Sequence, residues 1–435
     1  MSILESLTGR VWALVSGIHR RMFGEGIGPA TLDFGKNLGY VGVGFTLAYA
    51  MQMFIQIYLG RVLGPTAYGE YSIIRSITFF MILPMTMANF ALVKYLAGEK
   101  EERRKSSIIS AYIWITLALT VISALVFYFA TPLISDAISV SRSAVMLGLI
   151  LAVSWVPSDV VRRILQGLHR MKMVSLAEFS ASVLKVALIV YFFLLVGDRT
   201  VSAAIWSLAV GSALVIVFIA GDLRRFLRFR ISESPLVLFM GYSAYNFLAN
   251  TAHIVIFNVD RILMNRYLSL EDIGLYQAYN FSTLGVSLGF IVIFGTVLLP
   301  EASRSGKVKI WLRLRSLIIA SPLVYAVTFV SCIVFMTLYG KTYPLETGYL
   351  LLFPLLPMAY SVYSIFDWYA LSLGVKGVRV SFISKAAMAL MIVFLNIILL
   401  PRMGMAGAAV SFLIACALVT PYIISRTGRL AKAAE

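Results

Sequence analysis

Charged residues are scarce in this 435-residue sequence: Asp, Glu, Lys and Arg make up only 13% of it. Soluble domains carry about 25%. In their place, 60% of the residues are hydrophobic and the mean hydropathy is +0.89. So many apolar side chains cannot all be buried in one water-soluble core. The composition excludes a soluble enzyme, a secreted disulfide-linked scaffold and a disordered protein, and it indicates a polytopic membrane protein.

Side chains that carry out most enzyme chemistry are also scarce. The two cysteines, Cys332 and Cys416, lie in apolar runs, which predicts no disulfide framework. The three histidines are far apart and lack metal-ligand spacing, and the short loops contain no nucleotide-binding or hydrolase motif. We expect no enzyme, no ATP hydrolysis and no resident cofactor, with a coupling H⁺ or Na⁺ left open.

The charge that is present is mostly positive, with 37 Lys and Arg residues against 20 Asp and Glu and a net charge of +17. In a soluble protein this excess would suggest a nucleic-acid partner. In a membrane protein it is typical of cytoplasmic loops. We therefore expect no nucleic-acid partner, and membrane lipids as the surroundings.

Twelve apolar runs are long enough to cross a bilayer, which needs about 20 residues per helix. Most Lys and Arg residues fall on one side of this arrangement, in alternate loops such as Lys100–Lys105 and Arg224–Arg230. The positive-inside rule then predicts a multi-pass protein of the cell membrane (plasma or inner membrane) with both termini cytoplasmic. We number the runs as spans 1 to 12: 38–58, 72–96, 108–131, 144–165, 174–196, 203–220, 236–258, 276–299, 317–338, 349–373, 380–400 and 405–424.

The residues before span 1 predict a different kind of helix. They contain Glu5 and Arg10 and no uninterrupted apolar core, which argues against a cleavable signal peptide. Ile3, Leu7 and Leu14 recur at helical spacing, which favours an amphipathic helix on the inner membrane face. A frayed soluble tail is the alternative.

The sequence repeats itself at an offset of about 205 residues. Gly69-Glu70-Tyr71 aligns with Gly274-Leu275-Tyr276, and Leu165–Ser175 aligns with Leu371–Ser381. Each half then holds six spans, and because six is even both halves enter from the same side. The predicted segments are an amphipathic segment at 1–36, a six-helix bundle at 37–221, a basic linker at 222–235, a second bundle at 236–425 and a tail at 426–435. A two-half bundle without a motor domain is typical of a secondary transporter, and a membrane anchor or a channel is the alternative.

Four stretches carry a family resemblance. LGRVLGPTAYGEY follows span 1, VDRILMNRYLSLEDIGLY opens the second half, LQGLHRMK follows span 4 and LPRMGMAGAAVS precedes span 12. In order and spacing they resemble polysaccharide-biosynthesis proteins, which are lipid-linked oligosaccharide (O-antigen-type) flippases of the multidrug/oligosaccharidyl-lipid/polysaccharide (MOP) exporter superfamily. Asn265 and Ser269 depart from the pattern, since glycine is usual at both positions. The lipid II flippases of the superfamily usually have fourteen spans, so the chain resembles that group less.

The resemblance implies an all-α polytopic protein of the MOP/MATE type, with twelve helices in two parallel-repeat six-helix bundles, a V-shaped central cavity and alternating access. It implies transport of an isoprenoid-diphosphate-linked glycan from the cytoplasmic to the outer leaflet, with glycan polymerases or glycosyltransferases as further partners. The alternatives are a drug or small-solute cation-coupled antiporter of the same superfamily and a non-transporting scaffold for glycan-assembly enzymes.

Four cations lie inside spans or at their ends: Lys185 in span 5, Lys385 in span 11, Arg75 in span 2 and Arg261 in span 7. A charge at the bilayer centre costs about 2.5–3.5 kcal/mol, so such residues usually have a ligand or a partner. Diphosphates accept charge-assisted hydrogen bonds, and we predict that these four cations bind the head group. Snorkelling is the alternative for Arg75 and Arg261, and pairing with Asp367 is the alternative for Lys385.

Other polar residues inside spans complete the set of candidates. Asp159 and Asp367 could bind a coupling ion, or they could neutralise nearby Arg and Lys side chains. Asn246, Asn250 and His253 recur on one face of span 7 and suit the hydroxyls of a sugar. Interhelical hydrogen bonding is the alternative for these three.

Overall fold

The computed structural model of the chain describes residues 29–217, 233–289, 291 and 321–432. The regular elements among these residues are all helical. The predicted amphipathic segment and the predicted basic linker lie almost entirely outside the described residues, and so does most of the second half of span 8.

The N-terminal half folds into six helices and one π-helical turn. The first helix contains span 1 and the start of span 2, and its chain reverses at Gly64, which has a φ of +74° and precedes a proline. Span 2 is completed after a short turn. The helices are α1 (Pro29–Met85), α2 (Asn89–Gly98), α3 (Glu102–Ile138), α4 (Arg142–Gly167), α5 (Met171–Val190, continued by the π-helix Tyr191–Val196) and α6 (Val201–Ala213).

The C-terminal half repeats this arrangement. Its helices are α7 (Glu233–Met264), α8 (Leu270–Asn280, continued by the π-helix Phe281–Gly285), α9 (Ser321–Tyr339), α10 (Thr347–Leu352), α11 (Leu355–Ser372), α12 (Val375–Met403) and α13 (Met405–Lys432). Helices α10 and α11 together form span 10, interrupted at Pro354, which cannot donate a backbone hydrogen bond. Each of the twelve predicted spans is mainly helical over the residues described, with short turns inside spans 2, 6 and 10.

Length and composition agree with a membrane location. Eight helices among the described residues are long and apolar enough to cross a bilayer. Helix α3 turns large apolar side chains outward, and Phe129 and Leu133 are 74% and 75% exposed. Such exposure would be unfavourable in water but costs nothing against lipid tails. The chain is therefore an all-α, multi-pass membrane protein built of two six-helix bundles.

The two halves have equivalent contacts as well as equivalent helices. In the first half, Gln56 Nε2 donates to the hydroxyl of Tyr71 at 3.1 Å. In the second half, Arg261 lies over the ring of Tyr276, 5.3 Å from its centroid. Both pairs join the two sides of an outer hairpin, and they are related by the 205-residue offset. The predicted parallel repeat is thus present in the packing.

Repeat-equivalent glycines join the halves at their predicted outer ends. A Cβ atom on Gly69 would lie 1.9 Å from the carbonyl oxygen of Leu270, and one on Gly274 would lie 1.9 Å from that of Pro65. Only glycine allows the backbones of α1 and α8 to approach this closely. Equivalent residues of the two halves therefore touch each other here. We call this contact between α1 and α8, together with the hydrogen bonds that surround it, the outer seam.

Tyrosines add hydrogen bonds to the outer seam. Tyr343 donates to the carbonyl of Gly60 at 2.7 Å, and the hydroxyls of Tyr68 and Tyr339 lie 3.2 Å apart. Burial raises the pKa of Tyr343, which lies in the loop after α9, so its hydroxyl remains a neutral donor. The seam holds the outer ends of the two halves together.

Both departures from the family's glycine pattern have structural roles at this seam. The side-chain amide of Asn265 donates to the carbonyls of Ile138 and Ser139, at 2.8 Å each. These carbonyls end α3, so a residue of the C-terminal half caps a helix of the N-terminal half. Ser269 forms a capping box with Asp272 at the start of α8.

Candidate functional site

A cavity of about 430 Å³ lies inside the N-terminal half, between α1, α4, α5 and α6. This volume is within the range of small-molecule sites, about 300–1,000 Å³. The cavity is lined by Ala48, Tyr49, Gln52, Arg75, Leu151, Trp155, Ser158, Asp159, Arg162, Glu178, Ser182, Lys185, Leu208 and Ser212.

Helical spacing brings the polar groups of α5 to the cavity. Glu178, Ser182 and Lys185 follow one another at i, i+4 and i+7, which places them on one face of the helix. On α4, Trp155 and Arg162 lie seven residues apart on another such face. The two faces oppose each other and form a polar wall inside an otherwise apolar bundle.

Lys185 lies about halfway along span 5 and lines the cavity. Among the described residues it has no carboxylate oxygen within 4 Å of its ammonium group, and its charged neighbours are Glu178, Arg75 and Arg162. Gly211 of α6 packs directly against it, because a Cβ at that position would lie 2.6 Å from Lys185 Cγ. The close approach of α6 therefore fixes where the lysine stem can lie.

Arg75 reaches the same cavity from span 2. Its guanidinium carbon lies 5.8 Å from the ring centroid of Tyr71 and 5.7 Å from that of Phe79. These distances fit cation–π contacts, which hold the charge without neutralising it. The described residues place no carboxylate oxygen within 4 Å of it, so Arg75 and Lys185 keep their charge available to a ligand.

Asp159 lies on the same cavity wall, but its carboxylate is fully engaged. One oxygen is bound by Arg162 and lies 3.6 Å from Arg163 Nε, and the other accepts a hydrogen bond from Asn89. Asn89 is in turn held by the hydroxyl of Tyr112 at 2.6 Å. A coupling ion at Asp159 would have to displace a guanidinium group, and its role in coupling stays a prediction.

In the equivalent region of the C-terminal half, the charge of the lysine is neutralised by a carboxylate. Lys385 Nζ lies 2.8 Å from a carboxylate oxygen of Asp367 and donates to Ser381 at 3.1 Å. Ser381 also donates to Asp367. Lys385 is therefore paired with Asp367, which the sequence analysis gave as the alternative to head-group binding. Asp367 offsets the charge of Lys385, so Lys385 attracts an anionic ligand less strongly than Lys185 does.

Arg261 is held by neighbouring side chains, and its role in binding the head group stays a prediction. It is 7% exposed, and its donors bind Gln277 at 2.7 Å, Asp260 at 2.9 Å and Asn280 at 3.0 Å. Tyr276 covers the guanidinium group. The reason is the approach of α8, whose polar side chains enclose the arginine. In this conformation Arg261 belongs to the outer seam and is not among the residues that line the N-terminal cavity.

The polar face of span 7 is only partly described. Asn250 is half-buried, and His253 is exposed, with its ring 4.8 Å from the centroid of Phe257. The side chain of Asn246 lies outside the described residues. Neither described residue is among those that line the N-terminal cavity, and a role in binding sugar hydroxyls stays a prediction.

The cavity touches the C-terminal half through one tyrosine. Tyr49 lines the cavity, donates a hydrogen bond to the carbonyl of Gly285 and packs against Gly289. A site in the first half can therefore respond to movement of the second half.

Sequence reasoning missed two residues of the cavity wall. Arg162 lies within span 4, near other basic residues at its end, and is not among the binding residues predicted from the sequence. Trp155 was not singled out at all. The signal that could have found both is their seven-residue spacing around Asp159, which matches the spacing of Glu178 and Lys185.

Comparison with known proteins places this geometry in a family. The family model described as polysaccharide biosynthesis protein matches residues 34–306, more than half of the chain. None of the curated proteins matches the chain in sequence.

Solved structures share the fold. The lipid II flippase MurJ in an inward closed conformation has a TM-score of 0.70 and 17% identity, over 90% of this chain and 89% of that one. An inward-facing multidrug resistance MATE family transporter of the MOP superfamily has a TM-score of 0.69 and 15% identity, over 90% and 96%. A MOP superfamily transporter from Pyrococcus furiosus Vc1, described by a reverse polarity of its binding pocket, has a TM-score of 0.59 and 14% identity, over 91% and 97%. At these identities the likeness concerns the fold alone.

Proposed function

Because the chain belongs to the polysaccharide biosynthesis protein family, we propose that it is a flippase for lipid-linked oligosaccharide or polysaccharide precursors. It would move an isoprenoid-diphosphate-linked glycan from the inner to the outer leaflet by alternating access. The observation that carries the proposal is the N-terminal cavity, in which Lys185 and Arg75 have no neutralising carboxylate within 4 Å among the described residues.

The chemistry of these two cations fits a diphosphate. Its oxygens are strong acceptors for charge-assisted hydrogen bonds, and the guanidinium group of Arg75 can bind two of them at once. In a cavity walled by apolar helices the attraction is stronger than in water. The same charges would repel a cationic drug, which argues against the drug-antiporter alternative.

The fold supports transport rather than catalysis. Both the flippase and the MATE transporter that share it are membrane transporters by their descriptions. The outer seam closes one side of the molecule through glycine contacts and a small number of hydrogen bonds. Few bonds therefore have to break when that side opens. The coupling ion is a separate question, for which Asp159 and Asp367 remain the candidates.

Lys185 gives the sharpest test of this function. In cells that express each variant in place of the wild type, Lys185→Ala should abolish flipping at normal protein levels, and Lys185→Arg should retain part of it because the charge persists. The measurement is the lipid-linked glycan left on the cytoplasmic leaflet. The matched control is Lys341→Ala, which removes an exposed lysine that does not line the cavity, and it should flip normally. Normal flipping by Lys185→Ala would contradict the proposed function of the cavity.

Orientation is tested by labelling introduced cysteines with a membrane-impermeant maleimide. Glu101 and Thr342 are exposed, and the native Cys332 and Cys416 are buried and should not react. In intact cells we expect Thr342→Cys to be labelled and Glu101→Cys to be labelled only after permeabilisation. The reverse pattern would overturn the proposed direction of transport.

A further inference from the structure

We infer that Arg162 is an additional binding residue for the diphosphate head group, and that Glu178 occupies its guanidinium group until the head group arrives. This inference rests on the function proposed above, and it identifies the part of the cavity that the head group contacts first. Two observations carry it: a buried donor of Arg162 without an acceptor, and a carboxylate of Glu178 that faces this donor at a distance too long for a hydrogen bond.

Arg162 uses only part of its donor set. A terminal nitrogen is bound to the carboxylate of Asp159. Its Nε atom is buried and has no hydrogen-bond acceptor among the described residues. A buried donor left in this state costs about 1–3 kcal/mol. The planar guanidinium group presents Nε and a terminal nitrogen as a fork that fits two oxygens of a phosphate.

Glu178 is a charged group that lies close to this donor. Its Oε1 lies 3.6 Å from Arg162 Nε, within ion-pair range but beyond hydrogen-bond range. The side chains of Glu178 and Arg162 are 27% and 35% exposed, and both residues line the cavity. Among the described residues this is the only ion pair of Glu178. The carboxylate is therefore held loosely, and a phosphate oxygen that bonds to Nε can displace it.

Position along the helices makes Arg162 the first of the three cavity-lining cations on the path. It lies near the end of α4, and Glu178 lies near the start of α5. Lys185 is seven residues farther along α5, a rise of about 10 Å. In the proposed orientation the head group meets Arg162 at the cytoplasmic mouth before it reaches Lys185 and Arg75.

Glu178 then acts as an internal competitor for the head group. While the cavity is empty, its charge offsets that of Arg162 and acts on Lys185 as well. Binding exchanges this carboxylate for a phosphate on the same guanidinium group. Glu178 therefore lowers the affinity for the head group by occupying Arg162. A general effect of negative charge in the cavity would not depend on Arg162.

Direct binding to the purified full-length protein tests the exchange. The probe is farnesyl diphosphate, with farnesol and inorganic pyrophosphate as the tail-only and head-only competitors. Glu178→Gln keeps the shape of the side chain and removes its charge, and it should raise the affinity for farnesyl diphosphate about tenfold. Arg162→Gln should lower it by a similar factor, and Arg162→Lys should lower it less.

The decisive measurement is the double variant Arg162→Gln/Glu178→Gln. If Glu178 competes mainly through Arg162, its substitution gives a much smaller gain when Arg162 is absent, and the double variant binds nearly like Arg162→Gln. Glu102→Gln is the matched control, because Glu102 forms an exposed ion pair with Lys105 away from the cavity and should change nothing.

The outcomes separate this inference from the proposed function. An unchanged affinity of Glu178→Gln, or an equal gain in the Arg162→Gln background, would overturn the exchange while leaving the diphosphate site intact. A wild-type protein that binds farnesol as tightly as farnesyl diphosphate would contradict the proposed function and the inference together. If Arg162→Gln does not fold, Glu178→Gln tested in the Arg162→Lys background decides the matter.

Discussion

The two halves of this protein share a backbone and differ in what their charges do. In the N-terminal half, Lys185 and Arg75 face a cavity without a carboxylate within 4 Å among the described residues. In the C-terminal half, Lys385 is paired with Asp367, and Arg261 is enclosed by the outer seam. The comparison teaches that the two halves share their helix packing, while the described cations without a carboxylate partner lie in the N-terminal half.

Equivalent positions illustrate how the halves diverged. Gln56 and Arg261 lie 205 residues apart and both bind a tyrosine across an outer hairpin, yet one is neutral and the other charged. Arg75 is equivalent to Asn280, which binds Arg261 in the seam. The cation thus lies beside the cavity in the first half and in the seam in the second.

The largest expected effect comes from breaking the pair that neutralises the C-terminal half. Asp367→Ala leaves the buried ammonium group of Lys385 without its partner and should cost about 3–5 kcal/mol of stability. Removing both charges, with Asp367→Ala and Lys385→Ala, should restore most of it. Thermal unfolding in detergent measures the change. Lys185→Met is the comparison in the other half. It should be neutral or stabilising, since Lys185 forms no ion pair with any described residue, and a large loss of stability there would contradict the difference between the halves.

The seam gives the next largest effect. Gly274→Ala places a methyl group against the backbone of Pro65 and should destabilise the seam by about 1–3 kcal/mol or more. We expect a lower unfolding temperature and faster labelling of a cysteine placed beside the seam. Gly348→Ala is the matched control, because a Cβ there has no atom within 4 Å. Equal stability of the two variants would show that the glycine contact does not hold the halves together.

A smaller effect is expected where α6 supports the site. Gly211→Ala should push the stem of Lys185 aside and lower the affinity for farnesyl diphosphate several-fold, about 1 kcal/mol. Gly148→Ala is a fair control because its nearest contact, at 3.3 Å, is an ordinary side chain away from the cavity lining. Titration of both purified variants measures the difference. An affinity equal to wild type in Gly211→Ala would mean that Lys185 is not positioned by this contact.

The smallest effect concerns the cap that crosses the halves. Asn265→Gly restores the residue usual in the family and removes two hydrogen bonds to the end of α3, worth about 0.5–1.5 kcal/mol each. We expect a shift toward the conformation that is open on the outer side. Distance measurement between spin labels on the outer ends of α3 and α7 would detect it; an unchanged distance distribution would assign Asn265 to local capping alone.

Much of this architecture could be predicted from the sequence because it depends on local periodicity. Apolar run length gives the spans, and the offset of Gly69 and Gly274 gives the repeat. The burial of Lys185 follows from its position halfway along a span. These features need no knowledge of which helices touch.

The remaining features depend on contacts between distant segments. Arg261 is enclosed by α8, and no local pattern reports that approach. Arg162 lies within span 4, but its place in the cavity wall depends on contact with α5. Asn265 was recognised as a departure from glycine, while its partners lie more than a hundred residues away in the other half.

The most direct test of the central claim is the structure of the protein with farnesyl diphosphate bound. The account predicts both phosphates in the N-terminal cavity, within hydrogen-bond distance of Lys185 and Arg75, with the pair of Lys385 and Asp367 unchanged. Phosphates bound at Lys385 or Arg261, or bound outside the cavity, would contradict the assignment of the head group to the N-terminal half.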